Sequence, residues 1–412
     1  MEELSIYIHI PFCVRKCLYC DFLSFPLSES RFGNVLSDSA GARMISYVNY
    51  LREEIIGAAP KYQEYRVLSV FFGGGTPSLL PTGEVRRIMD TIRKCYRVAE
   101  DAEITIEMNP ETVTEEKLQE YITYGINRLS IGLQSADDDE LMRIGRIHDY
   151  RTFEKAYELS RKVGFHNINI DLMAALPEQS VDSYEWTLKK VTSLAPEHIS
   201  DYSLTLEEGT PLHKVQTEYC VYRFPSEEED REMYALTEKI LGACGYHKYE
   251  ISNYAMDGYE CRHNKVYWQR GNYVGFGLGA SSMVNNLRWT NPADMELYSA
   301  YTECFAQDAN RDGGYAASEH DACGHMVNKH LLTIHEQMEE YMFLGLRMMR
   351  GVSMKKFAEN FGTSIETVYG AVMDKLCTQG LLVREEGYIQ LTARGIDISN
   401  YVMAQFLFDE TD

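Results

Sequence analysis

Short β-rich runs alternate with amphipathic helical segments through the first half of the chain, and this alternation limits the possible folds more than any other feature. Strands separated by helices are typical of βα units, which place their strands in one parallel sheet. Six such units predict an α/β protein with a partial (β/α)6 barrel. The predicted strands are Leu4–His9, Leu68–Phe72, Glu103–Glu107, Arg128–Leu133, Asn167–Leu172 and His198–Leu204. The predicted helices are Ile45–Ala58, Gly83–Cys95, Glu115–Tyr124, Thr152–Val163 and Val181–Thr192.

Unusual residues follow the predicted strands, at the end where a βα barrel carries its active site. Cysteines follow the first strand, a glycine run follows the second, and polar residues follow the next three. A glycine run after a strand permits close approach of the backbone to a ligand, although it also forms tight turns. In strand order these residues are Cys13, Cys17 and Cys20, then Gly73-Gly74-Gly75-Thr76-Pro77, then Glu107, Gln134 and Asp171.

The three cysteines lie within eight residues, Cys13 to Cys20. Three thiolates on one loop can hold three corners of an iron–sulfur cube and leave the fourth iron free for another ligand. Zinc is the alternative, because His9 lies four residues before Cys13 and a Cys3His site is chemically reasonable. A disulfide is less favoured, since three thiols cannot all pair and no signal peptide precedes them. The other seven cysteines lack metal-ligand spacing and are expected to be small buried hydrophobes.

Composition excludes several classes of function. The 412 residues are 45% apolar and 25% charged, which is typical of a globular protein with two domains. The net charge of −22 argues against binding to nucleic acid. No apolar run approaches the roughly 20 residues needed to cross a bilayer. Ten cysteines and eighteen methionines suit a reducing cytoplasm, which is the predicted location.

The Cys-x3-Cys-x2-Cys loop with the following Gly-Gly-Gly-Thr-Pro run resembles the radical S-adenosylmethionine (SAM) enzymes. That resemblance implies a [4Fe–4S] cluster on the three cysteines, with SAM chelating the open iron. Three further segments, Tyr7–Cys13, Ile131–Ser135 and Ser203–Pro211, are similar to the coproporphyrinogen III oxidase-like branch of the family. Within that branch they resemble the heme chaperones.

The resemblance also implies a SAM pocket. Tyr7 and Tyr19 would flank the cluster and the methionine end, and Gly74, Gly75 and Thr76 would bind the methionine amino group. The methionine carboxylate, ribose and adenine would be held by Glu107, Gln134, Arg146 and Asp171. These groups suit such partners, since a guanidinium fork matches a carboxylate and a carboxylate binds ribose hydroxyls. The alternative for Arg146 and Asp171 is a surface or structural ion pair.

Two departures distinguish this chain from the coproporphyrinogen enzymes. Those enzymes carry a fourth cysteine two residues after the third, whereas this chain has Phe22 there. They also have an N-terminal arm before the cluster loop, and only twelve residues precede Cys13 here. Both differences match the chaperone pattern and argue against coproporphyrinogen decarboxylation.

A second motif supports the same choice. The sequence His263-Asn264-Lys265-Val266-Tyr267-Trp268 contains His-Asn-x-x-Tyr-Trp, which resembles the heme-binding motif of the chaperone branch. A neutral imidazole is a good axial ligand for heme iron, and aromatic rings stack on a flat macrocycle. His263, Tyr267 and Trp268 are therefore the predicted heme-binding residues, with Cys261 as an alternative thiolate ligand. A histidine beside aromatic residues is otherwise a common, hydrogen-bonded part of a core.

The chain changes character after a polar stretch, Asp308–Tyr315, which predicts a linker. We therefore predict a radical SAM barrel with the family-specific extension over residues 1–310 and a winged-helix-like α+β domain over 311–412. The predicted elements of this C-terminal domain are Glu339–Met349, Ser353–Phe361, Ser364–Gln379, Leu381–Arg384, Tyr388–Leu391 and Ile396–Phe406. Residues 335–412 contain seven Lys or Arg against twelve Asp or Glu, so the positive surface of a DNA reader is absent. The resemblance implies that this domain covers the barrel or meets a partner.

Three functional hypotheses follow. The first is a radical SAM heme chaperone that binds a [4Fe–4S] cluster, SAM and heme, and delivers heme to acceptor proteins such as membrane-associated respiratory-chain components. A low-potential electron donor would serve its cluster. The second is an oxygen-independent coproporphyrinogen III dehydrogenase, which shares the cluster, SAM and the fold. The third is a zinc protein that acts as an interaction module and needs no SAM.

Overall fold

A computed structural model describes residues 1–28, 39–309 and 327–408. Its strands are β1 Glu2–Ile10, β2 Phe12–Cys13, β3 Phe25–Pro26, β4 Tyr65–Gly74, β5 Arg97–Met108, β6 Arg128–Gln134, β7 Ile168–Ala174, β8 His198–Ser203, β9 His247–Glu250, β10 Asn253–Ala255, β11 Tyr273–Phe276, β12 Ser281–Val284, β13 Leu287–Thr290, β14 Val327–Leu331, β15 Val352–Ser353, β16 Leu382–Glu385 and β17 Tyr388–Leu391. Its helices are α1 Ala40–Ala58, α2 Glu84–Cys95, α3 Glu115–Thr123, α4 Asp138–Arg143, α5 Tyr150–Val163, α6 Val181–Ser193, α7 Pro211–Tyr219, α8 Glu227–Ala243, α9 Arg262–Trp268, α10 Met295–Ala309, α11 Ile334–Gly345, α12 Met354–Phe361, α13 Ile365–Thr378, α14 Ala393–Asp397 and α15 Ser399–Ala404.

One curved sheet forms the barrel wall. Its strand order is β14-β13-β12-β11-β1-β4-β5-β6-β7-β8-β10-β9. The six predicted strands correspond to β1, β4, β5, β6, β7 and β8, and they pair in parallel in the predicted order. The predicted α/β fold with its βα units is thus confirmed. Sequence analysis missed β11, which pairs in parallel with β1, and the antiparallel strands that extend both edges.

The strands owe their two faces to alternation along the chain. On β1, Ile6, Ile8 and Ile10 point outward and belong to the core between the sheet and the helices. The residues that alternate with them, Ser5, Tyr7 and His9, therefore point into the barrel. The same alternation on β5 places Glu103, Thr105 and Glu107 inside, because Ile104 and Ile106 belong to the outer core. The inside of the barrel is consequently polar.

The second hydrophobic core joins the helices α11 to α13 and α15 to a small antiparallel sheet of order β15-β17-β16. The predicted helix, turn, helix and hairpin are present as α12, α13, β16 and β17. The predicted last helix is instead two short helices, α14 and α15, because Ile398 between them leaves the helical conformation with a ψ of 37°. The predicted domain boundary, between residues 310 and 311, lies outside the described residues, so the division into two domains remains a prediction.

The two cores meet along the wall of the barrel. Arg270 and Arg288 both bind the carboxylate of Glu340 on α11, at 3.0 and 2.8 Å. The guanidinium of Arg347 lies 4.4 Å from the ring centroid of Trp268 at the end of α9. Among the described helices, none combines the length and apolar character needed to cross a bilayer.

Candidate functional site

The cysteine loop leaves the end of β1 and is closed at its base by the parallel pair β2 and β3. The backbone N–H groups of Phe25 and Leu27 donate to the carbonyls of Pro11 and Cys13. Midway along the loop, the Leu18 N–H donates to Ile144 O, and Leu18 O accepts from the first turn of α7. The loop is therefore fixed at both ends and at its centre.

The three thiols lie half-buried on this loop. Two of them accept hydrogen bonds: Thr76 Oγ1 donates to Cys13 Sγ at 3.7 Å, and Arg146 Nη1 donates to Cys17 Sγ at 3.6 Å. Burial raises the pKa of the Cys13 thiol, and it raises the pKa of Cys20 to about 11. Donors directed at sulfur favour the thiolate form and the ligation of iron, which makes this donor set suitable for a [4Fe–4S] cluster.

A preformed zinc site is not supported. Within the described residues, no three His, Cys, Asp or Glu side chains converge on a position for a single metal ion. Both ring nitrogens of His9 are also engaged, Nδ1 with Tyr7 OH at 3.1 Å and Nε2 with Leu23 O at 2.8 Å. Thiols that each meet a different iron need not converge on one point, so the lack of a single-metal position among the described residues is compatible with a cluster.

The glycine run packs directly against the start of the cysteine loop. Gly75 N donates to Ile10 O at 2.8 Å, and Thr76 N donates to Phe12 O at 2.7 Å. A Cβ on Gly75 would lie 2.7 Å from Phe12 O. Gly74 has a φ of +110°, and its Cβ would lie 2.6 Å from the His9 ring. These glycines allow β4 to approach β1 closely, and this approach sets Thr76 beside Cys13.

The predicted SAM residues on β5 and β7 face the barrel interior. Glu107 Oε2 accepts from Gly74 N at 3.2 Å, which ties the β5 carboxylate to the glycine run. Burial, followed by the charge of Asp171, raises the pKa of Glu107 to about 8. Asp171 accepts from Asn169 Nδ2 at 2.8 Å and from Ser130 Oγ at 3.2 Å, and burial raises its pKa as well.

Gln134 is the last residue of β6. Arg146 follows α4, and its guanidinium reaches back to β6. Arg146 Nη2 donates to Gly132 O at 2.6 Å, so both terminal nitrogens of this guanidinium have protein partners. Its Nε is buried without a partner. Gln134 has a backbone φ of +74°, in the region that favours glycine. This conformation follows a register shift in β6 and redirects the chain at the barrel mouth.

The two predicted tyrosines have different surroundings. Tyr19 packs with Ile144, Met173 and Leu176, beside the cysteine loop, and burial raises its pKa. Tyr7 points into the barrel below the loop, where its ring stacks on Phe71 at 6.3 Å between centroids. Phe22, at the position of the expected fourth cysteine, is 64% exposed.

The predicted heme motif forms α9, and two of its residues point into the barrel. His263 is 1% exposed and stacks on Phe71 with 5.0 Å between ring centroids. Its Nδ1 bonds Ser69 Oγ at 2.8 Å, and its Nε2 bonds Tyr267 OH at 2.9 Å. Burial, with the charge of Arg128 second, lowers the pKa of His263 to about 3. The ring is therefore neutral and hydrogen-bonded on both sides.

The third motif residue lies apart from the other two. The ring of Trp268 packs against the guanidinium of Arg347, on the side of the C-terminal core. Its indole Nε1 is buried and has no hydrogen-bond partner among the described residues. Cys261, the alternative thiolate, is buried at the start of α9, and burial raises its pKa to about 12. The motif thus spans the junction between the barrel interior and the second core.

Two residues that the sequence pattern did not single out hold this arrangement. Glu103 accepts from the backbone N–H groups of Arg262 and His263, at 2.9 and 3.0 Å, and so caps α9 from inside the barrel. Glu54 on α1 accepts from Gly277 N at 2.9 Å and from Tyr298 OH at 2.6 Å. A charged residue between two outward-facing apolar residues, as Glu103 is between Ala102 and Ile104, was the available signal for an inward-facing polar group.

The fold and the cysteine loop are those of a radical SAM protein. The radical SAM superfamily model matches residues 7–191, and the HemN C-terminal domain model matches residues 332–398. The chain is 34% identical to a Bacillus subtilis protein named Heme chaperone HemW, over 98% of this chain and 99% of that protein. It is 33% identical to the Escherichia coli Heme chaperone HemW, over 99% of each chain. The chain therefore belongs to the HemW family within the radical SAM superfamily.

A solved structure shares the whole architecture. The coproporphyrinogen III oxidase HemN from Escherichia coli, described as a radical SAM enzyme, superposes with a TM-score of 0.79. The match covers 98% of this chain and 90% of HemN, at 22% sequence identity. At that identity the likeness supports the fold.

Proposed function

We propose that this protein is a heme chaperone that binds a [4Fe–4S] cluster, SAM and heme, and passes the heme to acceptor proteins. The observation that carries the proposal is the full-length similarity, above 30% identity, to proteins named Heme chaperone HemW. The similarity extends through both cores, so it includes α9 and the C-terminal elements as well as the cysteine loop. The exposed Phe22 agrees with this choice over the coproporphyrinogen dehydrogenase.

In this proposal Cys13, Cys17 and Cys20 would hold a [4Fe–4S] cluster with one iron open to the amino and carboxylate groups of SAM. When bound, the cluster would supply an electron, taken from a low-potential donor, to the SAM sulfonium. Thr76 and Arg146 direct their donors at two of the thiolates. The remainder of SAM would be enclosed by residues from several strand ends: Tyr7, Tyr19, Gly74, Gly75, Glu107, Gln134 and Asp171.

His263 is the proposed axial ligand for heme, and its hydrogen bonds select the nitrogen that would bind iron. Ser69 Oγ donates to Ser5 Oγ at 2.7 Å, so Ser69 accepts the Nδ1 proton of His263. The lone pair then resides on Nε2, which accepts from Tyr267 OH. Ligation would require Tyr267 to release Nε2, while Ser69 keeps the ring in the correct tautomer. Trp268 and Tyr267 would then be available to the macrocycle.

The acceptors would include respiratory-chain proteins at the membrane, approached from the cytoplasm. The test is anaerobic purification, reconstitution of the cluster, and titration with heme and SAM beside a coproporphyrinogen turnover assay. We expect stoichiometric heme binding, a change in the electron paramagnetic resonance signal on adding SAM to the reduced cluster, and no decarboxylation. Conversion of coproporphyrinogen to protoporphyrinogen would instead establish the dehydrogenase.

Two matched variants test the heme ligand. His263→Ala should weaken heme binding and change its visible spectrum while the cluster content stays intact. Tyr267→Phe keeps the ring and removes the competing hydroxyl, so it should bind heme at least as tightly as the unmodified chain. A loss of affinity in Tyr267→Phe as large as in His263→Ala would reassign the ligand to the tyrosine oxygen.

A further inference from the structure

Arg128 is a fully buried arginine with no direct hydrogen bond or ion pair among the described residues. It starts β6, points into the barrel, and is 2% exposed. Cys261, Glu103, Tyr249 and Asp171 stabilise its charge at longer range, but none of them accepts a hydrogen bond from its guanidinium. Because buried donors are nearly always hydrogen-bonded, an acceptor for Arg128 is expected from outside the chain.

A second unpaired polar group adjoins Arg128. Thr105 on β5 is the register partner of Arg128 across the β5–β6 pair, and both side chains point inward. The Thr105 side chain is 0% exposed, and its Oγ1 has no hydrogen-bond partner. A guanidinium fork and a hydroxyl on neighbouring strands can together donate to the two oxygens of one planar anion.

The surroundings indicate where this anion would come from. Asp171 and Glu103 contribute to the electrostatic environment of Arg128 but lie beyond ion-pair contact, and its charge also lowers the pKa of His263. Arg128 thus lies between the proposed SAM residues and the heme motif. Arg146, in contrast, already uses both terminal nitrogens on Gly132 O and Cys17 Sγ. Arg128 keeps its whole fork available.

We propose that Arg128 and Thr105 form a carboxylate-binding site inside the barrel, which receives a carboxylate of a ligand bound there. This inference rests on the proposed function, because heme carries two propionates, whereas the single carboxylate of SAM is assigned there to the open iron. A guanidinium matches a carboxylate in a bidentate geometry, which a lysine ammonium does not reproduce.

The experiment compares each ligand with its carboxylate-free analogue on the reconstituted, full-length chain. The four probes are heme, heme dimethyl ester, SAM and decarboxylated SAM, and the variants are Arg128→Gln, Arg128→Lys and Thr105→Val. Heme should be preferred to its dimethyl ester in the unmodified chain. That preference should fall by about 10–100-fold in Arg128→Gln, as expected for a charge-assisted hydrogen bond.

The SAM pair is the control. Loss of the preference for heme over its ester in Arg128→Gln identifies a propionate, whereas the preference for SAM over decarboxylated SAM comes from the open iron and should stay unchanged. Arg128→Lys should recover part of the preference for heme, and Thr105→Val should lower it by a smaller factor. A merely structural role would weaken heme and its ester equally, and an unchanged heme-to-ester ratio in all variants that bind the probes would overturn the site.

The experiment distinguishes a failure of the proposed function from a failure of this inference. Absence of heme and SAM binding in the unmodified chain would refute the function, whereas heme binding with an unchanged heme-to-ester ratio would refute only the carboxylate site. The melting temperature of Arg128→Gln checks the fold. If Arg128→Gln does not fold, the ratio measured in Thr105→Val decides the question.

Discussion

The carboxyl groups of Glu107 and Asp171 lie buried in the same barrel interior, and neither has an ion-pair partner in contact among the described residues. Burial disfavours the charged form of each group and raises the pKa of both, and the charge of Asp171 raises the pKa of Glu107 further. A cationic ligand such as SAM, which carries a sulfonium and an ammonium, would remove that cost. The ligand-free protein should therefore have a lower free energy of unfolding at alkaline pH than at acid pH.

Glu107→Gln tests this at the level of one residue. The pKa of Glu107 rises from about 4.5 when unfolded to about 8 when folded, so between these values the folded chain keeps a proton that the unfolded chain has lost, and stability falls as the pH rises from about 4.5 to about 8. Glutamine cannot ionise, and the variant should gain roughly 2–4 kcal/mol over the unmodified chain at pH 9, with little difference at pH 5. Urea denaturation of the ligand-free protein at both values measures the difference. An equal difference at pH 5 and pH 9 would contradict this assignment.

Cys17→Ala tests the cluster ligands. If the cluster has no other protein ligands than the three loop cysteines, loss of one should abolish the iron–sulfur absorption and bound sulfide after reconstitution. Cys377→Ala is the matched control, because Cys377 is a similarly half-buried free thiol in the C-terminal core. Iron and sulfide analysis should find the control equal to the unmodified chain. Retention of both elements in Cys17→Ala would reject the assignment.

Among the elements, α9 depends for support on a side chain from the barrel interior. It contains seven residues, too few to be stable alone, and its N-terminal N–H groups are satisfied by Glu103 on a neighbouring strand. The element that carries the heme motif is thus held by a side chain from the barrel interior.

Glu103→Gln should loosen α9. The change removes a full negative charge from the helix N-terminus and should cost about 1–2 kcal/mol in unfolding free energy. The amides of Arg262 and His263 should also exchange hydrogen faster than in the unmodified chain. Glu116→Gln, in the exposed first turn of α3, is the control and should change α9 exchange very little. Unchanged exchange at Arg262 and His263 in Glu103→Gln would show that Glu103 does not hold the helix.

The elements also show what sequence can predict. The alternation of strand-like and helical segments located β1 and β4 to β8, and five of these strands, β1 and β4 to β7, each carry three or more outward apolar residues. It did not locate β11, whose four residues include a glycine, because so short a strand gains its stability from pairing with β1. The cysteine loop was readable since its ligands are contiguous. The position of His263 inside the barrel was not, because it depends on Ser69 and Glu103, which lie more than 150 residues earlier in the chain.

At the scale of the whole molecule, Tyr249 links the parts that carry the two predicted sites. Its hydroxyl bonds His198 Nε2 on the barrel wall at 2.8 Å and accepts from the Cys261 N–H at the start of α9 at 3.2 Å. Its backbone carbonyl accepts from Met349 of the C-terminal core at 3.0 Å. A displacement of the C-terminal core would therefore reach α9 directly.

The contact of Glu340 with Arg270 and Arg288 fixes that core on the barrel. The side chains of Glu340 and Arg270 are 7% and 8% exposed, so Glu340→Gln would leave a buried guanidinium without its counter-charge. We expect a loss of about 3 kcal/mol in unfolding free energy. Urea denaturation followed by tryptophan fluorescence measures it, because Trp268 and Trp289 lie near this contact. Glu359→Gln removes an exposed pair with Lys355 and should cost less than about 1 kcal/mol. Equal losses in the two variants would mean that the buried pair does not hold the cores together.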